Sequence, residues 1–185
     1  VSAFFRAVNR NKRSIALNLK DARGRDAFLA LATSADVIVE SFRPGVVSAL
    51  GVDYATVAAI NPRIVYAAIS GYGQNGPRAH VAGHDINYLG YAGVLDQTGV
   101  REGPPALCKL QIADLLGGAA SAAIALLAAL LGAQRTGRGR YVDVAMADAS
   151  LAHNIFALHA LEQRGRVRPR GSDLLTGGVP CYGVY

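Results

Sequence analysis

Cysteine is scarce in this 185-residue sequence, which contains only Cys108 and Cys181. The two are too far apart in sequence to form a CxxC pair or a zinc-ligand spacing, so neither a redox motif nor a cysteine-based metal site is indicated. The pattern predicts free thiols in a reducing, cytoplasmic compartment.

Methionine is scarcer still, since Met146 is the only one and the sequence begins at Val1. Residues 179–185 have the composition of a strand that is only beginning where the sequence stops. We therefore expect this to be an internal piece of a longer protein that lacks both ends. A signal peptide cannot be judged from such a piece.

Acidic residues are fewer than basic ones, 13 against 19, which gives a net charge of +6. Much of the excess lies in residues 6–13 and 164–170, with no zinc-finger, helix-turn-helix or RNP motif beside either cluster. We predict mostly solvated surface charge and no nucleic-acid partner. A phosphate-rich small molecule would also favour this balance. The glycine-rich residues 70–83 contain neither a Walker lysine nor a spaced GxGxxG, and predict a substrate loop or lid rather than a nucleotide fingerprint.

The order of the predicted elements indicates an α/β fold. Residues 14–19 predict a short strand, and Asp21 then caps a helix. Residues 36–40 and 63–69 are near-continuous apolar runs typical of buried parallel strands, with a helix expected to begin at Pro44 between them. This βαβαβ order predicts a doubly wound parallel sheet. Sites in such sheets lie beyond the carboxyl ends of the strands, here after Glu40 and Ser70.

Residues 115–133 form an uncharged run rich in Ala and Leu, long enough to cross a bilayer. Its hydropathy is modest and it leads into a basic turn and the strand at 141–146, so we favour a small-residue helix packed centrally in the core over a membrane span. Asp114 stands at the start of this helix. It is either an N-cap only or a functional carboxylate, and the sequence supports both interpretations equally.

His84 opens a second apolar segment, after the glycine-rich loop and before Asp85, Asn87 and Tyr88. The other three histidines, like Cys108, lack a comparable local pattern. A histidine and a carboxylate held where water is scarce are suited to taking a proton from carbon and returning it. His84 and Asp114 are therefore our candidate acid/base pair.

Three blocks, residues 9–20, 35–45 and 136–144, resemble consecutive blocks of the family III CoA-transferases, the CaiB/BaiF superfamily. The likeness runs in the family's order from about residue 9 to residue 185. Transferases of this family typically carry Tyr-Asp where this chain has His84-Asp85. Residues 83–88 look instead like the corresponding block of the α-methylacyl-CoA racemase branch.

The resemblance implies a Rossmann-like doubly wound sheet, with residues 1–185 as part of the large CoA-binding domain and the small domain outside this sequence. It also implies an interlocked homodimer, an acyl-CoA thioester partner, no membrane span, no metal and no cofactor apart from the coenzyme A of the substrate. It assigns His84 and Asp114 as catalytic, with a glutamate beyond this sequence orienting His84. The implied lining of the thioester site is Leu17, Asn18, Leu19, Lys20, Gly83, Asp85, Ile86, Asn87 and Tyr88.

The implied reaction inverts the α-carbon of a 2-methylacyl-CoA by two-base proton transfer through an enolate. Backbone N–H groups at the start of the Asp114 helix are expected to stabilise its oxygen. Two alternatives stay open: a CoA-transferase that uses Asp114 to form a covalent intermediate, and a non-catalytic CoA-ester binding protein. The sequence does not identify the acyl chain.

Overall fold

The structure, a computed structural model, describes residues 2–184. Over this range α-helices and β-strands alternate, and one π-helical segment precedes the longest helix. In chain order the elements are α1 Ala3–Val8, α2 Ala22–Ala32, β1 Val37–Glu40, α3 Val46–Ala49, α4 Tyr54–Ile60, β2 Val65–Ser70, α5 Asp85–Tyr91, the π-helical segment Ala113–Ala120, α6 Ser121–Thr136, β3 Arg140–Ala145, α7 Met146–His153 and α8 Ile155–Arg164.

The three strands form one parallel sheet in the order β1-β2-β3. β2 is the central strand, and its Val65, Ala67 and Ala68 are fully buried. A parallel strand covered on both faces can carry apolar residues without alternation, which is the pattern that predicted β1 and β2. The parallel α/β architecture is therefore confirmed.

Helices cover both faces of this sheet. Ala129 and Ala133 of α6 pack on Val65 on one face. On the other face, Val57 of α4 packs with Tyr66 and with Ala32 of α2. Layers of helix on both sides of a parallel sheet define the doubly wound arrangement that the element order predicted.

The predicted strand at residues 14–19 is wrong, because this stretch is irregular and Ile15 is 67% exposed. A strand needs a neighbour for its backbone hydrogen bonds, and residues 14–19 pair with no strand in the described part of the chain. The end of the chain also departs from expectation: an isolated antiparallel bridge joins Val179 and Tyr182. Tyr185 of that prediction lies outside the described residues.

Two helix starts illustrate what local sequence decides. Asp21 is the N-cap of α2, as predicted, and its carboxylate accepts the Arg23 N–H. Pro44 does not open α3, because Gly45 intervenes as the N-cap at φ +88°. This left-handed conformation is strained for residues with a Cβ atom, so glycine is suited to the position.

The helix Ala113–Thr136 is long and apolar enough, by length and composition, to cross a membrane. Only one face packs on the sheet, and Ile124, Leu127 and Leu131 on α6 are exposed. The expected central burial is therefore wrong for these residues. The close fit against the sheet through small alanines is as predicted.

Candidate active site

A cavity of about 400 Å³ opens at the carboxyl edge of the sheet, where the sequence directed attention. The turn after β1 and the end of β2 form one wall, the loop before α5 forms another, and the π-helical segment and α7 contribute one residue each. The lining residues are Ser41, Phe42, Arg43, Pro44, Ile69, Ser70, Gly71, Ala79, Val81, Ala82, Gly83, His84, Tyr88, Asp114 and Met146.

His84 is the N-cap of α5 and is exposed. Its backbone N–H donates to Asn87 Oδ1 at 2.9 Å, so the amide of Asn87 fixes the start of the helix rather than lining the cavity. The extended backbone of His84, with φ −128°, ends the glycine-rich loop at this point. The imidazole is thereby carried on a defined helix terminus at the cavity wall.

Tyr88 holds the loop next to His84. Its hydroxyl donates to the Gly83 carbonyl at 2.7 Å, and its ring lies where Cβ atoms at Gly71 and Gly83 would be. Tyr88 is 6% exposed, so its phenol needs such a partner. Both loop glycines are thus required by the close approach of this ring.

Asp114 lies in the first turn of the π-helical segment, and the interpretation of Asp114 as an N-cap is wrong. The N-cap is Ile112, whose side chain makes no capping hydrogen bond. Asp114, like His84, is exposed, so the expectation that the pair is held where water is scarce is wrong for the described part of the chain. Partial burial of the Asp114 carboxyl nevertheless raises its pKa above the usual value. The negative charge of Asp85 raises the pKa further, and the nearby His84 lowers it.

The backbone amides at this helix start are partly engaged. The Asp114 N–H donates to Asp85 Oδ1 at 3.0 Å, and the Leu115 N–H donates to the Gln111 carbonyl at 2.9 Å. These two N–H groups are therefore not available to an enolate oxygen. The expectation that backbone N–H groups at this helix start stabilise the enolate is wrong for these two groups.

Four of the residues expected at the site line this cavity: His84, Asp114, Gly83 and Tyr88. Asp85, Ile86 and Asn87 belong to the same helix start, but they lie outside the lining. Leu17, Asn18, Leu19 and Lys20 are also outside it and precede α2. There the Asn18 side chain accepts the Lys20 N–H, and the Asn18 carbonyl lies against Gly24.

Sequence reasoning located the loops of the site but missed several lining residues, among them Arg43, Ser70 and Met146. Arg43 is the only cationic side chain in the lining apart from a protonated His84. Sites in parallel sheets follow the carboxyl ends of the strands, and this rule could have found two of these residues. Arg43 follows the strand predicted at 36–40, and Ser70 comes directly after the strand predicted at 63–69. Among the described residues, no cluster of three or more potential ligands could hold a metal ion.

The family model of CoA-transferase family III matches residues 1–185, so the chain belongs to this family. The acetyl-CoA:oxalate CoA-transferase of Acetobacter aceti is 44% identical over 161 residues, covering 86% of this chain and 40% of that protein. The human α-methylacyl-CoA racemase is 37% identical over 179 residues, covering 96% of this chain and 47% of that protein. The chain thus spans less than half the length of these relatives.

A solved structure of a CaiB/BaiF family protein from Brucella suis has the same fold, with a TM-score of 0.86. It is 34% identical in sequence, and the match covers 91% of this chain and 44% of that one. Racemases and transferases both occur among the relatives at similar identity, so the family is established while the particular activity is not.

Proposed function

We propose that the full-length protein inverts the α-carbon of 2-methylacyl-CoA thioesters. One observation carries this proposal: His84 and Asp114, 30 positions apart in sequence, line one cavity at the carboxyl edge of the sheet. The raised pKa of Asp114 supports it, because a carboxyl that ionises closer to neutral pH can both deliver and accept a proton.

The reaction needs only proton transfers. One group takes the α-proton, the electrons of the C–H bond form a C=C bond, and the carbonyl electrons move to the thioester oxygen as an enolate. The other group then delivers a proton to the opposite face, and the carbonyl re-forms. Each cycle leaves the pair with exchanged protonation states, which solvent resets.

The cavity lining also supports an acyl-CoA ester as the ligand. Arg43 in the cavity lining supplies a positive charge for a phosphate group of coenzyme A. Ile69, Val81 and Met146 supply apolar surface for a branched acyl chain. Such a site would bind the ester without any further cofactor.

A second candidate is CoA transfer, favoured by the 44% identity to the Acetobacter transferase. In this chemistry the Asp114 carboxylate attacks the thioester carbonyl, an anhydride forms, and coenzyme A leaves as the thiolate. The thiolate then attacks the Asp114 carbonyl of the anhydride, which releases the donor acid and leaves coenzyme A on Asp114 as a thioester. The acceptor carboxylate attacks this thioester to give a second anhydride and free thiolate, and the thiolate attacks the acceptor carbonyl, which forms the new CoA ester and regenerates the Asp114 carboxylate. His84 has no required role in this scheme.

Solvent deuterium incorporation distinguishes the two. Full-length protein is incubated in deuterated buffer with each enantiomer of a 2-methylacyl-CoA and no acceptor acid. We expect the wild type to exchange the α-proton of both. His84→Ala should slow exchange from one enantiomer more than from the other, and Asp114→Ala should show the reverse preference.

His84→Tyr should stop exchange, because a phenol with a pKa of about 10 is a poor base at neutral pH. Equal losses from both enantiomers in both alanine variants would contradict the two-base mechanism. Turnover only after an acceptor acid is added would establish the transferase instead. Ester binding with neither exchange nor transfer would identify a non-catalytic CoA-ester binding protein.

We further propose that the full-length protein acts as a cytoplasmic homodimer. The exposed apolar residues of α6 and α8, among them Leu127 and Phe156 at 68% each, support a further covering layer in the complete protein. Light scattering of the full-length protein tests the stoichiometry, and a monomer would contradict it.

A further inference from the structure

Asp85 connects the two halves of the candidate site. It follows His84 directly as the first residue of α5, and its Oδ1 accepts the backbone N–H of Asp114 at 3.0 Å. The two residues are 29 positions apart in sequence, so this hydrogen bond ties the start of α5 to the first turn of the π-helical segment. A hydrogen bond from an amide to a carboxylate is stronger than one between neutral groups.

The position of Asp85 argues against the substrate contact expected for it. Its side chain reaches the backbone of Asp114, and the residue is absent from the cavity lining. An aspartate so placed acts on the reaction through Asp114 rather than by touching the ester.

Several charged or titratable groups lie around Asp114. His84, Asp85 and Tyr88 lie at the start of α5, and Arg43 of the turn after β1 lines the same cavity. Met146, the lining residue from α7, is not titratable. Beyond the effect of burial, Asp85 raises the pKa of Asp114 and His84 lowers it. The pKa of Tyr88 is raised mainly by burial, then by Tyr72, and least by the charge of Asp114.

We propose that Asp85 is a positioning residue, whose carboxylate fixes the backbone of Asp114 relative to His84 and keeps a negative charge beside the Asp114 carboxyl. The inference rests on the proposed proton-transfer function and adds a residue to it. It names two contributions of Asp85, the hydrogen-bond acceptor and the charge, and comparison of two substitutions distinguishes them.

Asp85→Asn keeps an amide oxygen as the acceptor and removes the charge, whereas Asp85→Ala removes both. Asp148→Asn is the matched control, because Asp148 is an exposed aspartate in the first turn of the neighbouring α7 and lies outside the cavity lining. All variants are made in the full-length protein and checked by thermal melts.

The first readout is an NMR titration of protein labelled with 13C at the aspartate carboxyl, in which Asp114→Asn assigns the Asp114 signal. We expect the pKa of Asp114 to be lower in Asp85→Asn than in the wild type, because a neighbouring negative charge is gone. Asp148→Asn should leave it unchanged. This readout does not depend on any activity.

The second readout is the pH profile of α-proton exchange. In Asp85→Asn the acid limb should move to lower pH, with a maximal rate within about tenfold of the wild type. In Asp85→Ala, kcat should fall by about 10²-fold with little change in KM, because misplacing a reacting group by about 1 Å costs that much. A residue that bound the ester would raise KM instead.

An unchanged Asp114 titration in Asp85→Asn, or wild-type kcat in Asp85→Ala, overturns the proposal. If Asp85→Ala fails to fold, the Asp85→Asn titration still decides. A wild type without exchange would defeat the proposed function alone, since the NMR titration would still show whether Asp85 controls Asp114.

Discussion

At Asp114, burial and the charge of Asp85 both disfavour the ionised carboxylate, and His84 favours it. The opposing influences come from adjacent residues of one helix start, so a small movement of α5 changes both. A carboxylate with no contact to α5 would experience neither this partial burial nor this pair of charges. The chemistry of Asp114 therefore depends on the contact between α5 and the π-helical segment.

Asp114→Asn tests this environment. The variant should abolish racemisation while leaving acyl-CoA binding within about tenfold, because the amide keeps the shape of the side chain but carries no titrating proton. Racemisation at the wild-type rate would exclude Asp114 from the chemistry.

The same variant has a predicted effect on stability. Because the pKa of Asp114 in the folded protein lies above the usual 3.8, ionisation costs the folded state more than the unfolded one. The asparagine variant should therefore have the higher Tm at about pH 7, and the difference should vanish as the pH falls below 3.8. Thermal melts across this range measure it, and a lower Tm for the variant at neutral pH would contradict the raised pKa.

At the scale of elements, the π-helical segment Ala113–Ala120 depends on close contact with α7. A Cβ atom at Gly117 would lie 2.6 Å from the Met146 carbonyl oxygen and from Ser150 Oγ. Where the segment ends, the Ser121 hydroxyl donates to the Leu116 carbonyl, five residues earlier, at 2.8 Å. π-helical turns are rare and occur often at functional sites, and this one carries Asp114 to the cavity.

Gly117→Ala should destabilise the protein by about 1–3 kcal/mol, although alanine is the better helix former, because the methyl group must displace the backbone of α7. Gly132→Ala in α6 is the control. Its Cβ would meet nothing within 4 Å, so it should stabilise by about 0.5–1 kcal/mol. Denaturant unfolding measures both, and equal effects would show that the close approach to α7 is not maintained.

Local sequence predicted those elements whose signals are local. The apolar runs gave β1 and β2, and Asp21 gave the start of α2. Residues 14–19 have a strand pattern too, but pairing depends on a neighbouring edge that the pattern cannot reveal. The π-helical register escaped prediction for a similar reason, since contacts between distant residues such as Gly117 and Met146 accompany it.

In the candidate site, too, local features could be predicted from the sequence and contacts between distant residues could not. The rule that sites follow the carboxyl ends of strands located the loops after Glu40 and Ser70, and both line the cavity. The isolation of His84 and Asp114 in apolar sequence pointed to two residues that both line the cavity, and their role as an acid/base pair stays a prediction. The hydrogen bond from the Asp114 N–H to the Asp85 carboxylate could not be predicted. It joins two helix starts whose relative position is determined by packing.

At the scale of the whole molecule, α6 has apolar residues on two sides, and only one of these sides packs on the sheet. Its alanines pack on the sheet, while Ile124 and Leu127 are 70% and 68% exposed. Burying one leucine side chain contributes about 1.5–3 kcal/mol, so leaving such a face in water forgoes substantial stabilisation. Since the chain spans less than half the length of its relatives, we expect further protein surface to cover this face in the full-length form.

Leu127→Asp in the full-length protein tests this expectation. If the face is covered, a buried unpaired carboxylate should lower the stability by several kcal/mol, on the order of 2–4, and lower the Tm accordingly. Gln134→Asp is the control, since it adds the same charge on the same helix at an exposed polar position. Light scattering then shows whether a second copy of the protein covers this face. Release of monomers by Leu127→Asp alone would indicate a subunit interface. A lower Tm at constant mass would indicate that another part of the same chain covers the face. Equal Tm values for Leu127→Asp, Gln134→Asp and the wild type would mean that the face stays in solvent, and would contradict the prediction.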